Sequence, residues 1–418
     1  MKKLCWLVLA LLVTAALAAA GCGDDDDDGS GGGGGGEASG EPIKVGASLP
    51  LTGEFSEPGK AAKQGYEVWE ATVNDSGGLI DGRPVKMVTK DDQSNQNTIV
   101  SDYNALISQD KVDLLLGTFS SLLNLPASTV AERSRMLYVE PAGGAPELFD
   151  RGYKYLFFAQ QATADKQGEV WANWVTDLPA DQRPKTAAYP TLDDPFAQPT
   201  SEGIETILKA AGIKTVYRET YTIDNPNLDG IASALKARNP DVVVNCATFE
   251  DGVGMVRALL KAGFTPKMLY QTTAPSLGDQ YSKAIGKANT EGVFYAVSHS
   301  KEAKTPGNPE FVAKYQEMFG GTEVPEDAAD AYATAEVLQA AVKAVGTIDK
   351  ERQLELADWL RENQVDTILG PLSWDDQGRP EGEFLVGQWQ NGVPEIVLPE
   401  EAATTDKIIP EWQPGGGG

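Results

Sequence analysis

The chain has 418 residues, 41% of them hydrophobic, and a formal charge of −26. That length allows two or three domains with sizeable cores, while the charge and the lack of any Lys/Arg-rich block exclude a phosphate-gripping nucleic-acid partner. One histidine and three cysteines leave the usual zinc sets unfilled.

The chain opens on Lys2 and Lys3, an apolar run over 4–20, and Ala20-Gly21-Cys22. This is the layout of a secretory signal, too short and too briefly flanked to be a good spanning helix. Small residues ending in cysteine resemble the bacterial lipoprotein signal, which implies that Cys22 is acylated and becomes the new N-terminus. Five aspartates (24–28) and a glycine run (31–36) follow, a composition that cannot bury apolar surface and reads as a disordered tether. With Cys5 cleaved away and Cys22 carrying lipid, Cys246 is left alone as a small core residue and no intramolecular disulfide is expected.

From Ile43 the pattern alternates α/β. Residues 43–49 read as a strand, followed by a loop over 52–59 and a helix with Ala62, Tyr66, Trp69 and Val73 on one face, stopped at Asn74-Asp75-Ser76-Gly77-Gly78. A strand at 85–89 and a helix marked by Ile99, Tyr103, Leu106 and Ile107 come next. The apolar run 112–116 suits a strand buried on both faces. Gly117 ends it, and Ser120 and Ser121 precede a helical segment over 122–131. A serine there can cap the helix beside the free N–H groups of its first turn, so this corner is either an anion site at the end of a central strand or only a cap. A strand at 136–139 runs into Pro141-Ala142-Gly143-Gly144, whose glycines permit close approach to a ligand or form only a turn.

A second α/β unit begins near Gln161. Trp171, Trp174, Val175 and Leu178 share a helix face and read as core, and the loop 190–199 after a strand at 186–189 contains Phe196. After a helix ending at Gly212, a strand at 215–217 and a helix over 228–237, the stretch 240–256 repeats the pattern of 111–128. Asp241 precedes three valines as Asp113 precedes three leucines, and the strand-to-helix corner carries Glu250 and Asp251 in place of serines. One corner welcomes an anion and the other a cation, so two such halves across a cleft would hold a zwitterion by its two ends. A βα pair from 268, a strand at 292–297, three helical stretches, Gly370-Pro371-Leu372 and a hairpin turn within 388–392 complete the chain.

Taken together the residues resemble one family: branched-chain amino-acid-type (Leu/Ile/Val-binding) solute-binding lipoproteins of ABC importers. The similar pieces are Ile43-Lys44-Val45-Gly46 with Leu51-Thr52-Gly53, Asn74 with Gly77-Gly78 and Gly82, and Asp91-Asp92. Others are Pro141 with Pro146-Glu147-Leu148, Arg151-Gly152-Tyr153, Met255 with Arg257, and Gly370-Pro371-Leu372 with Trp374-Asp375 and Gly378. The resemblance implies the α/β type I periplasmic-binding fold, two doubly wound parallel-sheet lobes joined by three crossover strands with the ligand in the interlobe cleft. It divides the chain into a signal peptide (1–21), a tether (22–41), lobe 1 (42–161 plus 296–370), lobe 2 (162–295 plus 371–412) and a disordered tail (413–418). It also implies that Ser121, with Ser120 beside it, meets a ligand carboxylate, that Asp251 meets the ammonium, and that Phe196 is an aromatic wall. The full ligand-binding set is Phe55, Pro58, Ser120, Ser121, Gly143, Gly144, Phe196, Asp251 and Thr273. Gly144 stands where the family often has Thr and Pro58 where it often has an aromatic, which implies a different side chain or a ligand larger than valine or leucine.

The sole histidine, His299, has no neighbouring motif for a Ser-His-Asp or Cys-His site. Gly252-Val253-Gly254 opens a helix after a strand, but Arg257 stands where a dinucleotide fingerprint needs Gly or Ala. The chain is therefore read as a non-enzymatic binding protein without cofactor or metal, extracytoplasmic, monomeric and lipid-anchored to the bacterial cell membrane, serving a membrane permease. The competing readings are a ligand sensor for a signalling partner and the same fold binding an aromatic or aliphatic carboxylate or amide.

Overall fold

The structure is a computed structural model describing residues 38–415 apart from Asn225 and Thr322. The expected signal peptide, the lipidated Cys22, the acidic and glycine runs and the last three residues lie outside the described residues. The near ends of the two expected disordered segments are held to the domain. The Ser39 N–H donates to the Gly82 carbonyl at 2.8 Å, and the Gln413 and Gly415 N–H groups donate to the Glu291 and Ala288 carbonyls. Those backbone pairs carry the ordered chain past both boundaries, 41 and 412.

The first unit is β1 (Ile43–Leu49), α1 (Ser56–Asp75), β2 (Val85–Asp91), α2 (Gln96–Ser108), β3 (Leu114–Leu116), α3 (Ser121–Ser134), β4 (Tyr138–Glu140), α4 (Pro146–Phe149) and β5 (Leu156–Phe158). Its strands form a parallel sheet in the order β2-β1-β3-β4-β5. The triple leucine of β3 is buried throughout, as a central strand covered by helices on both faces requires. On one face α2 and α3 pack through Tyr103, Leu106, Leu123 and Ala127. On the other lie α1 and, from much later in the chain, α11 (below). α3 carries Pro126 in its interior, which removes the N–H that the Leu122 carbonyl needs; the Gln96 side-chain amide supplies it instead at 3.1 Å.

The second unit is α5 (Glu169–Asp177), β6 (Thr186–Leu192), α6 (Ala197–Ala210), β7 (Lys214–Tyr221), α7 (Leu228–Arg238), β8 (Val242–Asn245), α8 (Phe249–Ala262), β9 (Met268–Gln271), α9 (Asp279–Ile285) and β10 (Phe294–Val297). The chain then returns to the first core with α10 (Asn308–Phe319), α11 (Glu326–Val345), α12 (Gln353–Glu362) and the small ribbon of β11 (Val365–Thr367) and β12 (Gly370–Leu372). It ends in the second unit with β13 (Leu385–Gln390) and β14 (Val393–Leu398). The second sheet runs β14-β13-β10-β9-β8-β6-β7, with β13 alone antiparallel to the rest, pairing antiparallel with β10 on one side and β14 on the other. The β13–β14 turn is Asn391-Gly392 with φ of 53° and 72°, the left-handed pair such a hairpin needs. α11 lies so close to α1 that a Cβ on Gly65 would stand 2.0 Å from the Ala328 carbonyl oxygen. Glycine at 65 thus sets where the start of α11 sits.

The chain passes between the sheets three times, after β5, after β10 and between β12 and β13. β10 stays in the second sheet to Val297 and β12 pairs with β11 to Leu372, so two of the passages fall slightly later than the expected boundaries at 296 and 370. Gln161 ties the three together, its amide N–H donating to the Ser298 carbonyl at 3.1 Å and its own carbonyl accepting from the Gly382 N–H at 2.7 Å. Among the described residues no helix is long and apolar enough to cross a membrane.

Candidate functional site

In both sheets the strand order reverses beside the expected corner, between β1 and β3 and between β6 and β8. Open α/β sheets bind ligands outside the carboxyl ends of strands at such points. A cavity lined by residues of both units lies there, at the kind of place where such folds bind small molecules.

The β3–α3 corner is held by side chains reaching its carbonyls in succession. Tyr103 donates to Leu116 O at 2.7 Å, Tyr66 to Gly117 O at 3.0 Å, and the Asn124 amide to Thr118 O at 2.8 Å. Ser120 then takes a left-handed φ of 77° with ψ of 151°. A non-glycine residue in that region costs about 1–3 kcal/mol and persists only where its surroundings enforce it. Of the two readings of this corner the cap is not made: no side-chain cap is present, and the Ser120 hydroxyl, 6% exposed and without a partner, lines the cavity.

Of the residues expected to bind ligand, Ser120, Gly144, Phe196 and Thr273 line the cavity, and Phe55, Pro58, Ser121, Gly143 and Asp251 are not among its lining residues. The reasons are local. The Ser121 hydroxyl accepts the Ala145 N–H at 3.0 Å and is spent on holding two loops together. Gly143 is needed for the buried Glu140 carboxylate, which accepts the Ala142 and Gly143 N–H groups and would be 2.7 Å from any Cβ at 143. Phe55 is 2% exposed, with its ring 5.7 Å from Phe119, so it backs the wall that Phe119 presents. Pro58 is buried in the first turn of α1.

The β8–α8 corner is built the same way. Gln271 donates to Asn245 Oδ1 and to Gly252 O, both at 2.9 Å, and Thr272 Oγ1 donates to Ala247 O at 2.7 Å. Thr248 begins α8 and faces the cavity with an unpartnered hydroxyl. Asp251, three residues on, is 6% exposed with Oδ2 unpartnered, and burial, then Glu250, pushes its carboxyl up to about 6. Opposite, burial and then the charges of Asp251, Asp224, Glu250 and Asp194 push Glu54 of the first unit up to about 7. Five carboxyl groups therefore surround one place across the cleft. Asp194 also lines the cavity, with Oδ1 accepting the Phe196 and Ala197 N–H groups at 2.8 and 3.2 Å, which turns the Phe196 ring inward.

Sequence reasoning missed the lining from α11: Glu326, Asp327 and Asp330, with Phe119, Phe158, Phe384 and Gln160 around them. The available signal was acids on the alanine-rich face of Glu326-Asp327-Ala328-Ala329-Asp330, a face that packs inward. His299, by contrast, is a buried structural residue, its Nε2 2.7 Å from Asn308 Oδ1 and its pKa pushed down to about 4 by burial.

Comparison with known proteins agrees with this architecture. The family described as periplasmic binding protein matches residues 42–393. The Leu/Ile/Val-binding protein homolog 7 of Brucella suis is 26% identical over 387 residues, covering 88% of this chain and 94% of its own. An amino acid binding protein of Pseudomonas aeruginosa is 23% identical over 350 residues, covering 84% and 90%. Among solved structures, the leucine binding protein LivK of Thermotoga maritima has a TM-score of 0.76 at 20% identity, with 85% and 97% of the chains covered. An R. palustris solute-binding protein in complex with benzoate has a TM-score of 0.74 at 19% identity, with 88% and 100% covered. The fold is the type I periplasmic-binding fold, and the chain belongs to the periplasmic binding protein family, as a solute-binding protein of the branched-chain amino-acid type.

Proposed function

We propose that this chain is the extracytoplasmic solute-binding component of an ABC importer and that it captures an amino acid or related small zwitterion by closing its two lobes on it. The observation that carries the reading is the pairing of two unlike corners across one cleft. The unpartnered Ser120 hydroxyl stands beside the first amides of α3, and the unpartnered, buried Asp251 carboxyl stands on α8. The first suits a carboxylate and the second an ammonium. Family membership supports an extracytoplasmic address, and the relatives named for amino-acid binding support the ligand class. Four phenylalanines in the lining favour a second reading, an aromatic carboxylate like the benzoate of the R. palustris neighbour. Against it, the lining contains four carboxyls and no lysine, arginine or histidine to meet a lone anion.

The test is a thermal-shift screen of purified protein, stripped of co-purified ligand, against amino acids, carboxylates and amides. A ligand at 100 times its dissociation constant adds about 2.7 kcal/mol of stability. The same ligand is expected to shrink the radius of gyration in solution scattering, because it favours the closed form only through contacts to both lobes. Binding by carboxylates without any by amino acids, or an unchanged radius at saturation, would count against the reading.

The proposed importer role includes a permease partner, action as a monomer, and a lipid anchor on Cys22, motivated by the charged, apolar and small-residue order that ends there. Cys22→Ser is expected to release the mature protein from membranes into the soluble fraction. Retention equal to the parent in a carbonate wash would remove the anchor from the scheme.

A further inference from the structure

We infer that the ligand carries a second positive charge on the end facing the start of α11, which makes it an amino acid with a cationic side chain rather than an aliphatic one. This rests on the zwitterion reading above and narrows it. Asp327 and Asp330 line the cavity at 8% and 4% exposure, with Glu326 beside them. Acids in the first turn of a helix are usually solvated or capping, but these are neither. The residue before the helix is Pro325, no side chain caps the N-terminus, and Asp327 Oδ2 has no partner at all. Gln160, 4% exposed and also in the lining, donates its N–H to the Pro141 carbonyl and leaves Oε1 without a partner. Both orphans are acceptors, so what is missing is a donor.

The proton inventory points the same way. Ser298 Oγ lies 2.9 Å from Glu326 Oε1 and 2.5 Å from Asp330 Oδ1, yet a serine hydroxyl has a single proton to donate. Glu326 Oε1 also takes the Ser298 N–H, so the hydroxyl proton can go to Asp330, but three desolvated acids within little more than one helical turn, in a lining without lysine, arginine or histidine, are costly to ionise together, and at least one keeps its own proton. The surrounding titratable groups do not change this. Tyr270 of β9 and Tyr295 of β10 are neutral phenols held well above their usual range by burial, Glu323 is another acid, and the remaining contacts are the hydroxyls of Ser276 and Ser298, the Ser298 N–H and the Gln160 side-chain amide, none of them a cation. Burial holds Asp327 at about 8, with Asp330 and Glu326 raised as well. A ligand ammonium or guanidinium entering here takes the place of that proton: the carboxylic O–H ionises, its proton goes to buffer, and the cation pairs with the carboxylate. The phenylalanine walls suit the same guest, since ring faces attract a desolvated cation.

The experiment is titration calorimetry with L-lysine, L-arginine, L-leucine, putrescine and benzoate, on the parent protein and Asp327→Asn, in two buffers of different ionisation enthalpy. Lysine or arginine is expected to bind more tightly than leucine and to release on the order of one proton near neutral pH. Asp327→Asn is expected to weaken that ligand by about 30- to 5,000-fold while leaving the unfolding transition cooperative. Putrescine binding that depends on Asp327, with no amino acid bound, would uphold the cation site and overturn the zwitterion reading. Tighter binding of leucine, a change below threefold for lysine and arginine in the variant, or no cationic probe bound would each overturn the inference; the first leaves the zwitterion reading standing. Benzoate as the tightest ligand would overturn both.

Discussion

Lowering the pH from about 8 to about 5.5 is expected to make the ligand-free protein more stable, by several kcal/mol. Burial raises Glu140 from 4.5 to about 8, Asp327 from 3.8 to about 8 and Glu336 from 4.5 to about 8. An acid whose pKa is higher folded than unfolded binds protons in the native state that the unfolded chain does not. Stability therefore falls as pH rises from the unfolded values through the folded ones. At about 1.4 kcal/mol per pH unit, each of the three contributes up to about 3 kcal/mol across that interval. His299 works in the opposite sense. Its pKa falls from 6.5 to about 4, so the unfolded chain takes up a proton first and stability drops by about 1.4 kcal/mol between pH 6.5 and 5.5. Three acids outweigh one imidazole. The carboxyls with depressed values, Asp91, Asp241, Glu205 and Glu355, lose their contribution only below about pH 4.5, outside the interval. Urea unfolding at three pH values measures this directly. Glu140→Gln should flatten the slope, because it removes one titrating group while keeping an acceptor for the Ala142 N–H. A stability that rises toward pH 8 would show that these carboxyls are ionised in the native state.

The architecture was legible because its signals are local and repeated. The Leu114-Leu115-Leu116 and Val242-Val243-Val244 runs, each followed by a break and a helix, identify two central strands without any knowledge of what packs on them. The positions of the two corners follow from the same runs. What a side chain does at a corner does not follow, because it depends on one backbone angle. A serine before a helix normally caps it, and only the left-handed φ of Ser120 sends the hydroxyl to the cavity instead. The acids of α11 were hidden for another reason. Read alone, Glu326-Asp327-Ala328-Ala329-Asp330 looks like a solvated helix start. It reaches the cavity because a helix some 200 residues after β3 packs on α1 at the separation that Gly65 permits. Composition did record it in another form: with 61 acidic residues against 35 basic ones, acids are in excess throughout, so those facing inward did not stand out.

Asp251→Asn is expected to weaken the ligand by about 30- to 5,000-fold, the cost of truncating one side of a buried, hydrogen-bonded charge pair at about 2 to 5 kcal/mol. The substitution keeps the shape of a side chain that is 6% exposed and whose Oδ2 has no partner in the protein. The fold should be spared, because a carboxyl already pushed up to about 6 is costly to keep ionised and an amide is not. The same value fixes the pH dependence. Above about 6 the carboxylate is ready for an ammonium. Below it a proton must leave Asp251 first, so parent affinity should fall by about a further tenfold per pH unit there, an added slope that the variant lacks. Glu54, held near 7 chiefly by burial and then by Asp251, relaxes when that charge goes, so Glu54→Gln serves as the control for a general field at the mouth. A loss in Asp251→Asn that Glu54→Gln does not reproduce locates the ammonium at α8. If Asp251→Asn changes affinity less than threefold, within what a screened surface charge produces, while Asp194→Asn abolishes binding, the ammonium lies against Asp194, the acid that lines the cavity beside Phe196. If neither aspartate matters, no ammonium is bound at this corner and the ligand is a carboxylate held from the serine side alone.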